Sequence, residues 1–205
     1  IYAIEEHFDK ILLESNKFKE GPIIKLSESS LWLNRKKYIS ENVNNINPHL
    51  EITQSYIDVF KEKKIINNEV LYSNFIKASQ LLNGFLEGKL TTSQVFDTKK
   101  LATFLAVSDL VNAHHGLIWH NQRFYFEPFS EKLIPIGFDA DAGKPLEKLS
   151  IDNEIVFSFF DDIEFTKIYV SELERLSSKN YLDKLMNKIN TDLNYQLSVL
   201  HKSYP

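Results

Sequence analysis

Residues 112–143 read NAHHGLIWHNQRFYFEPFSEKLIPIGFDADAG, and the rest of the chain is organised around them. Two runs inside the stretch have strand character, Arg123–Phe126 and Leu133–Phe138. Between them Glu127-Pro128-Phe129-Ser130-Glu131-Lys132 supplies turn formers, so the stretch predicts a β-hairpin. A hairpin brings its two ends back together. Asn121, at the start of one strand, is therefore expected beside Asp139, just past the end of the other, with Asp141 two residues on. An amide oxygen and two carboxylates would form a hard oxygen site suited to Mg²⁺. If that segment is extended, both carboxylates share a face. The plainer reading is that Asn and Asp near glycine punctuate turns. Three of the six histidines, His114, His115 and His120, precede the hairpin. His120 follows Trp119 and also reads as a packed ring.

Working outward, 205 residues suffice for one domain with a core or for two small lobes, and the 15 phenylalanines supply packing. A net charge of −4 and a pI near 5.9 offer no basic field to nucleic acid. No run of eighteen apolar residues provides a membrane span. Cysteine is absent, which excludes disulfides, zinc–thiolate sites and a cysteine nucleophile. Ile1 is not an initiator methionine, so the chain is expected to be a piece of a longer one.

From the start, Tyr2–Glu6 alternates as a strand does, and from His7 the period becomes helical to about Asn16. Gly21-Pro22 opens a second strand, Ile23–Leu26, which carries Lys25. Residues 27–50 are polar and Asn-rich and read as a long loop, with a small basic run, Arg35, Lys36 and Lys37, between Trp32 and Tyr38. Ile52–Lys64 is weakly helical. A stronger helix starts at Asn68 and closes at Gly88, followed by a short turn from Thr91 or Thr92. Asp97 should cap a helix that runs from Thr98 to about Asn112 and carries Asp109. Two amphipathic helices finish the chain, with stripes from Ile163 to Leu176 and from Leu182 to Leu200, both expected in the core.

The segment HNQRFYFEPFSEKLIPIGFDADAG resembles the CotH kinase family of spore-coat proteins, in which an HN and an aromatic strand lead through a turn to a second strand and an Asp-x-Asp. Tyr2-Ala3-Ile4-Glu5-Glu6-His7-Phe8-Asp9 is similar to that family's opening strand-to-helix segment, and the final helices fit its order. The resemblance implies an α+β fold like an atypical protein kinase, with a truncated N-lobe sheet and a mainly helical C-lobe carrying a catalytic β-hairpin. One such domain would span residues 1–205. Residues 1–28 would be the N-lobe remnant, and 51–205 the helical lobe with its hairpin at 121–139. The family's phosphate-binding strand and loop would lie before Ile1.

The function so implied is transfer of a phosphoryl group from Mg-ATP to a Ser or Thr hydroxyl of a protein at a cell or spore surface. Glu6 and Lys25 would orient the nucleotide, as a buried Glu–Lys pair does in kinase-like folds. The alternative for them is a solvated strand-face pair. Asn121, Asp139 and Asp141 would hold Mg²⁺. The family's acid before the HN is missing here, where Ala113, His114, His115 and Gly116 stand, so the base would be His114 or Asp109. Two other readings stay open. The His/Asp set could bind a transition metal and hydrolyse a phosphoester, although adjacent histidines in regular backbone cannot both face one ion. A degenerate catalytic loop also suits a kinase-shaped binding or surface-assembly module.

Overall fold

The computed structural model describes residues 7–40, 52, 55–143, 145, 148–152 and 158–203. The expected strand Tyr2–Glu6, and with it Glu6, lies outside the described residues. The fold is mixed α+β, mostly helix, around one antiparallel sheet of four short strands. In chain order these are β1 (Ile23–Leu26), β2 (Ile57–Val59), β3 (Arg123–Glu127) and β4 (Lys132–Ile136). In space they run β2-β1-β3-β4.

The hairpin forms where the sequence places it, β3 and β4 pairing from Arg123↔Ile136 to Glu127↔Lys132. Its turn is locally determined. The Glu127 carboxylate accepts the backbone N–H groups of Phe129 and Ser130 at 3.1 and 2.7 Å, and Glu131 takes the left-handed conformation at φ 52°. β1 pairs directly with β3, Lys25 opposite Arg123, although the two lie about a hundred residues apart in sequence. The strand expected to face the hairpin is thus joined to it edge to edge.

Alternation divides the sheet into two faces. Ile24, Leu26, Phe124, Phe126 and Leu133 point into the main core. There they meet the helices α4 (Glu69–Leu86), α6 (Thr98–Leu110) and α7 (Ile163–Ser177). These follow α1 (Lys10–Ser15), α2 (Ser29–Ser40) and the short α3 (Glu62–Ile66); the single-turn α5 (Thr92–Val95) lies between α4 and α6. Phe96 sits 5.1, 5.2 and 5.2 Å from the rings of Phe85, Phe124 and Phe159, mostly edge-on, the geometry in which ring quadrupoles attract. On the other face, Ile23, Tyr125 and Ile134 are covered by Leu13 of α1, with Phe8, Phe18 and Phe60 around them.

Caps explain several boundaries. Asp97 accepts from Lys100 N at the start of α6, and Asn68 from Leu71 N at the start of α4, both as expected. Gly88 follows α4 at φ 69°. Three expectations need correction. Residues 29–40 are helical, not loop; their apolar side chains form no stripe, so periodicity had nothing to detect. Ile52–Lys64, expected to be weakly helical, contains the edge strand β2, after which α3 begins. In α8 (Lys179–Ser203) the stripe Leu182, Leu185, Met186, Leu193, Leu197 and Leu200 is exposed, not core. Among the described residues no helix is long and apolar enough to cross a membrane.

Candidate functional site

The site is built where α6 hands the chain to the hairpin. Asn112 turns at φ 47°, with Ala113 N bonded back to Ser108 O at 2.7 Å. Two single turns of 3₁₀-helix follow, His114–Leu117 and Trp119–Asn121. Side chains lash these turns to β3: Gln122 donates to Leu117 O at 2.7 Å, and the Arg123 guanidinium to His120 O at 2.6 Å. At the hairpin's far end the segment after β4 passes tightly over Gly116. A Cβ there would stand 2.7 Å from Phe138 O, a distance no side chain tolerates.

The predicted convergence of Asn121 and Asp139 is present: Asn121 Nδ2 lies 3.4 Å from Asp139 Oδ2. The amide points the other way from the expectation, however. Its NH₂ is held by His115 O at 3.0 Å, a carbonyl that needs a donor, so it offers Asp139 a nitrogen and not an oxygen. Asn121 is buried and acts on Asp139 as a positioning group. Asp139 and Asp141 both adopt positive φ, 47° and 44°, so the segment is not the extended chain that would put both on one face. Asp141 is exposed, and the Asp139 side chain is about half exposed.

The histidines divide. In a 3₁₀ turn successive side chains point about 120° apart. His114 turns inward, its Nε2 2.6 Å from Asp109 Oδ1. His115 turns outward, its Nε2 3.0 Å from Asp139 Oδ2. The residue beside the Asn–Asp pair is therefore His115, not His114. The sequence signal for it was the His-His doublet itself, because only one of two neighbours can reach the site.

Asp109, expected as an alternative base, is fully buried. Its carboxylate is bonded to His114, to the N–H and hydroxyl of Ser150 at 2.8 and 2.7 Å, and to the hydroxyl of Tyr169. A carboxylate so bonded and so buried ties α6 to α7 and is closed to substrate.

Lys25 lies on the second face of the sheet, paired with Glu28 at 3.4 Å. Glu28 also approaches the buried Arg123 at 3.8 Å. The Arg123 guanidinium stacks on Phe138 at 4.6 Å, with Phe60 at 5.8 and Phe8 at 6.0 Å. Next to this group sits His120. Burial lowers its pKa; Glu28 opposes that, and Arg35, His115 and Arg123 lower it further. Among the described residues no three His, Asp or Glu side chains stand together as a transition-metal site requires.

No protein-family model matches the chain, and no curated protein matches its sequence.

Proposed function

We propose that the chain is a CotH-like phosphoryl-transfer protein that moves the γ-phosphoryl group of Mg-ATP to a Ser or Thr hydroxyl of a protein partner at a cell or coat surface. The observation that carries this reading is the gathering of His115, Asn121 and Asp139 within 3.0 to 3.4 Å at the open end of the hairpin. The donor chemistry fits a nucleotide-bound Mg²⁺, which takes one or two carboxylates and fills its other positions with phosphate and water. Asp139 would supply the one carboxylate gathered there. The bound metal would neutralise charge on the phosphates. Asn121 fixes the Asp139 carboxylate. His115 donates its Nε2–H to Asp139, which leaves Nδ1 to accept the proton of the attacking hydroxyl.

The test is transfer from radiolabelled ATP by the chain and by Asp139→Ala, Asn121→Ala and His115→Ala. Loss of a general base slows such reactions about 10²- to 10⁴-fold. The same loss is expected for His115→Ala, and at least as much for Asp139→Ala. Equal incorporation in all four removes the site as the source.

One observation favours a second reading, a catalytically silent module of the same shape. Histidine stands where the resemblance calls for an acid, and the nearest upstream acid, Asp109, is locked in the interior. That module would gain thermal stability from Mg-ATP without transferring phosphate.

A further inference from the structure

We infer that α8 pairs with α8 of a second copy of this chain, the two helices antiparallel and related by a two-fold axis level with Thr191. The ring of Tyr181, in the first turn of α8, still packs on the main core. Past it, every side chain up to Lys202 is exposed apart from the half-buried Ile189. Yet the helix is amphipathic, and its apolar stripe faces water, with Leu182 and Leu200 at its two ends 54% and 55% exposed. A helix of this kind draws most of its stability from packing that stripe against something.

The stripe itself specifies the partner. Leu182, Leu185, Ile189, Leu193, Leu197 and Leu200 are separated by 3, 4, 4, 4 and 3 residues, the same series from either end. Turned end for end, the helix sets Leu182 level with the partner's Leu200, Leu185 with the partner's Leu197, and Ile189 with the partner's Leu193. Six apolar layers result, and the surface is complementary to itself, as a two-fold interface requires. Met186 alone lacks a mirror mate, its counterpart being Gln196. The charges agree with this direction. On one flank of the stripe Asp183 comes within two residues of level with the partner's His201, and on the other Lys188 comes as close to the partner's Asp192. Parallel pairing would also match the leucines, but it would set each charge against its own kind and crowd both bodies at the same end. A membrane surface fits less well. The polar face mixes two aspartates and four asparagines, Asn180, Asn187, Asn190 and Asn194, with its lysines, and the stripe holds no Trp or Phe.

From Leu182 to Leu200 the stripe runs about 27 Å, so one helix pair makes a small interface and a reversible dimer. The pairing holds whether or not the chain transfers phosphate. Sedimentation equilibrium of the whole chain, from low micromolar to several hundred micromolar, is expected to show the mass rising from 23.9 kDa toward twice that. Leu193→Asp puts a charge into a central layer and should raise the dissociation constant about a hundredfold. Thr191→Asp adds the same residue to the opposite face of the helix and should leave the constant within about twofold. Circular dichroism of both variants confirms that α8 stays folded. The chain has no cysteine, so disulfide cross-links read the register on a clean background. A mixture of Ile189→Cys and Leu193→Cys chains should cross-link more fully on oxidation than either variant alone. A mass of 23.9 kDa throughout, equal weakening by the two aspartate variants, or cross-linking as full in each cysteine variant alone overturns the inference. A chain that stays monomeric and binds vesicles of phosphatidylserine and phosphatidylcholine gives the stripe to a membrane surface and overturns it equally.

Discussion

Replacing Asp109 separates a structural acid from a catalytic one. Its carboxylate is fully buried and takes hydrogen bonds from His114, Ser150 (twice) and Tyr169. Asp109→Ala leaves all of these donors facing a hole. Each buried polar group so stranded costs about 1 to 3 kcal/mol, and His114, whose side chain is partly exposed, can recover part of that by turning toward water. The Ser150 N–H and the Tyr169 hydroxyl cannot, because both are buried. About 3 to 5 kcal/mol of destabilisation results, in the range for breaking a buried charged network. Asp109→Asn keeps the oxygen that serves His114 and Ser150 and turns an NH₂ toward Tyr169, whose hydroxyl can accept; about 1 to 2 kcal/mol is expected. Urea unfolding read by circular dichroism measures both. At this chain length each kcal/mol moves the melting temperature by about 2 to 4 °C. If Asp109→Asn unfolds like the parent while losing phosphoryl transfer, the acid is a base after all and the argument fails.

Other outcomes follow from the same coordinates. Glu172 is 1% exposed, and its carboxyl is pulled from 4.5 to about 2 by the hydrogen bond from Arg175, against burial and with help from Lys99 and Thr103. Its folded pKa is depressed, so its contribution is present above about pH 4.5 and is lost as pH falls toward 2. With both cationic partners well exposed this is about 2 kcal/mol, and Glu172→Gln should flatten the acid limb of stability by that much. Gly116→Ala places a methyl group 2.7 Å from Phe138 O. It should destabilise by about 1 to 3 kcal/mol and push Asp139 away from Asn121, lowering transfer more than an ordinary loop substitution would. Phe159→Ala empties the space between Phe85, Phe96 and Phe165 and should lower unfolding stability by about 3 to 5 kcal/mol without touching the site. His114→Ala should reduce stability and spare the turnover rate, whereas His115→Ala should do the reverse; matching profiles for the two would deny the division drawn between them.

What the sequence made legible was local. The hairpin announced itself by strand-forming runs around a Pro-Ser turn, and Asp97 and Asn68 announced two helix starts by chemistry confined to four residues. Its closure also put Asn121 near Asp139, because strand pairing leaves little freedom at the ends. What stayed hidden was set by distant parts of the chain. The pairing of β1 with β3 joins Lys25 to Arg123 across about a hundred residues, and no local period encodes it. Helix α2 lacks an apolar stripe to reveal it. The direction of the Asn121 amide depends on the His115 carbonyl, and the burial of Asp109 depends on Ser150 and Tyr169. Residue type and spacing name candidates, but which candidate faces solvent and which is spent on folding is decided by partners.

That division has a physical logic at the turn before β3. Two adjacent histidines in a 3₁₀ turn must diverge, so the interior can claim one only by presenting the other to the hairpin end. Asp109 claims His114, and the same bond fixes the turn that aims the carbonyl and the ring of His115. That carbonyl in turn sets the amide of Asn121, and the amide steadies Asp139. The buried acid and the exposed one are thus linked through three contacts and the His114–His115 peptide. A functional role for Asp139 therefore requires the structural role of Asp109, although the two carboxylates never meet.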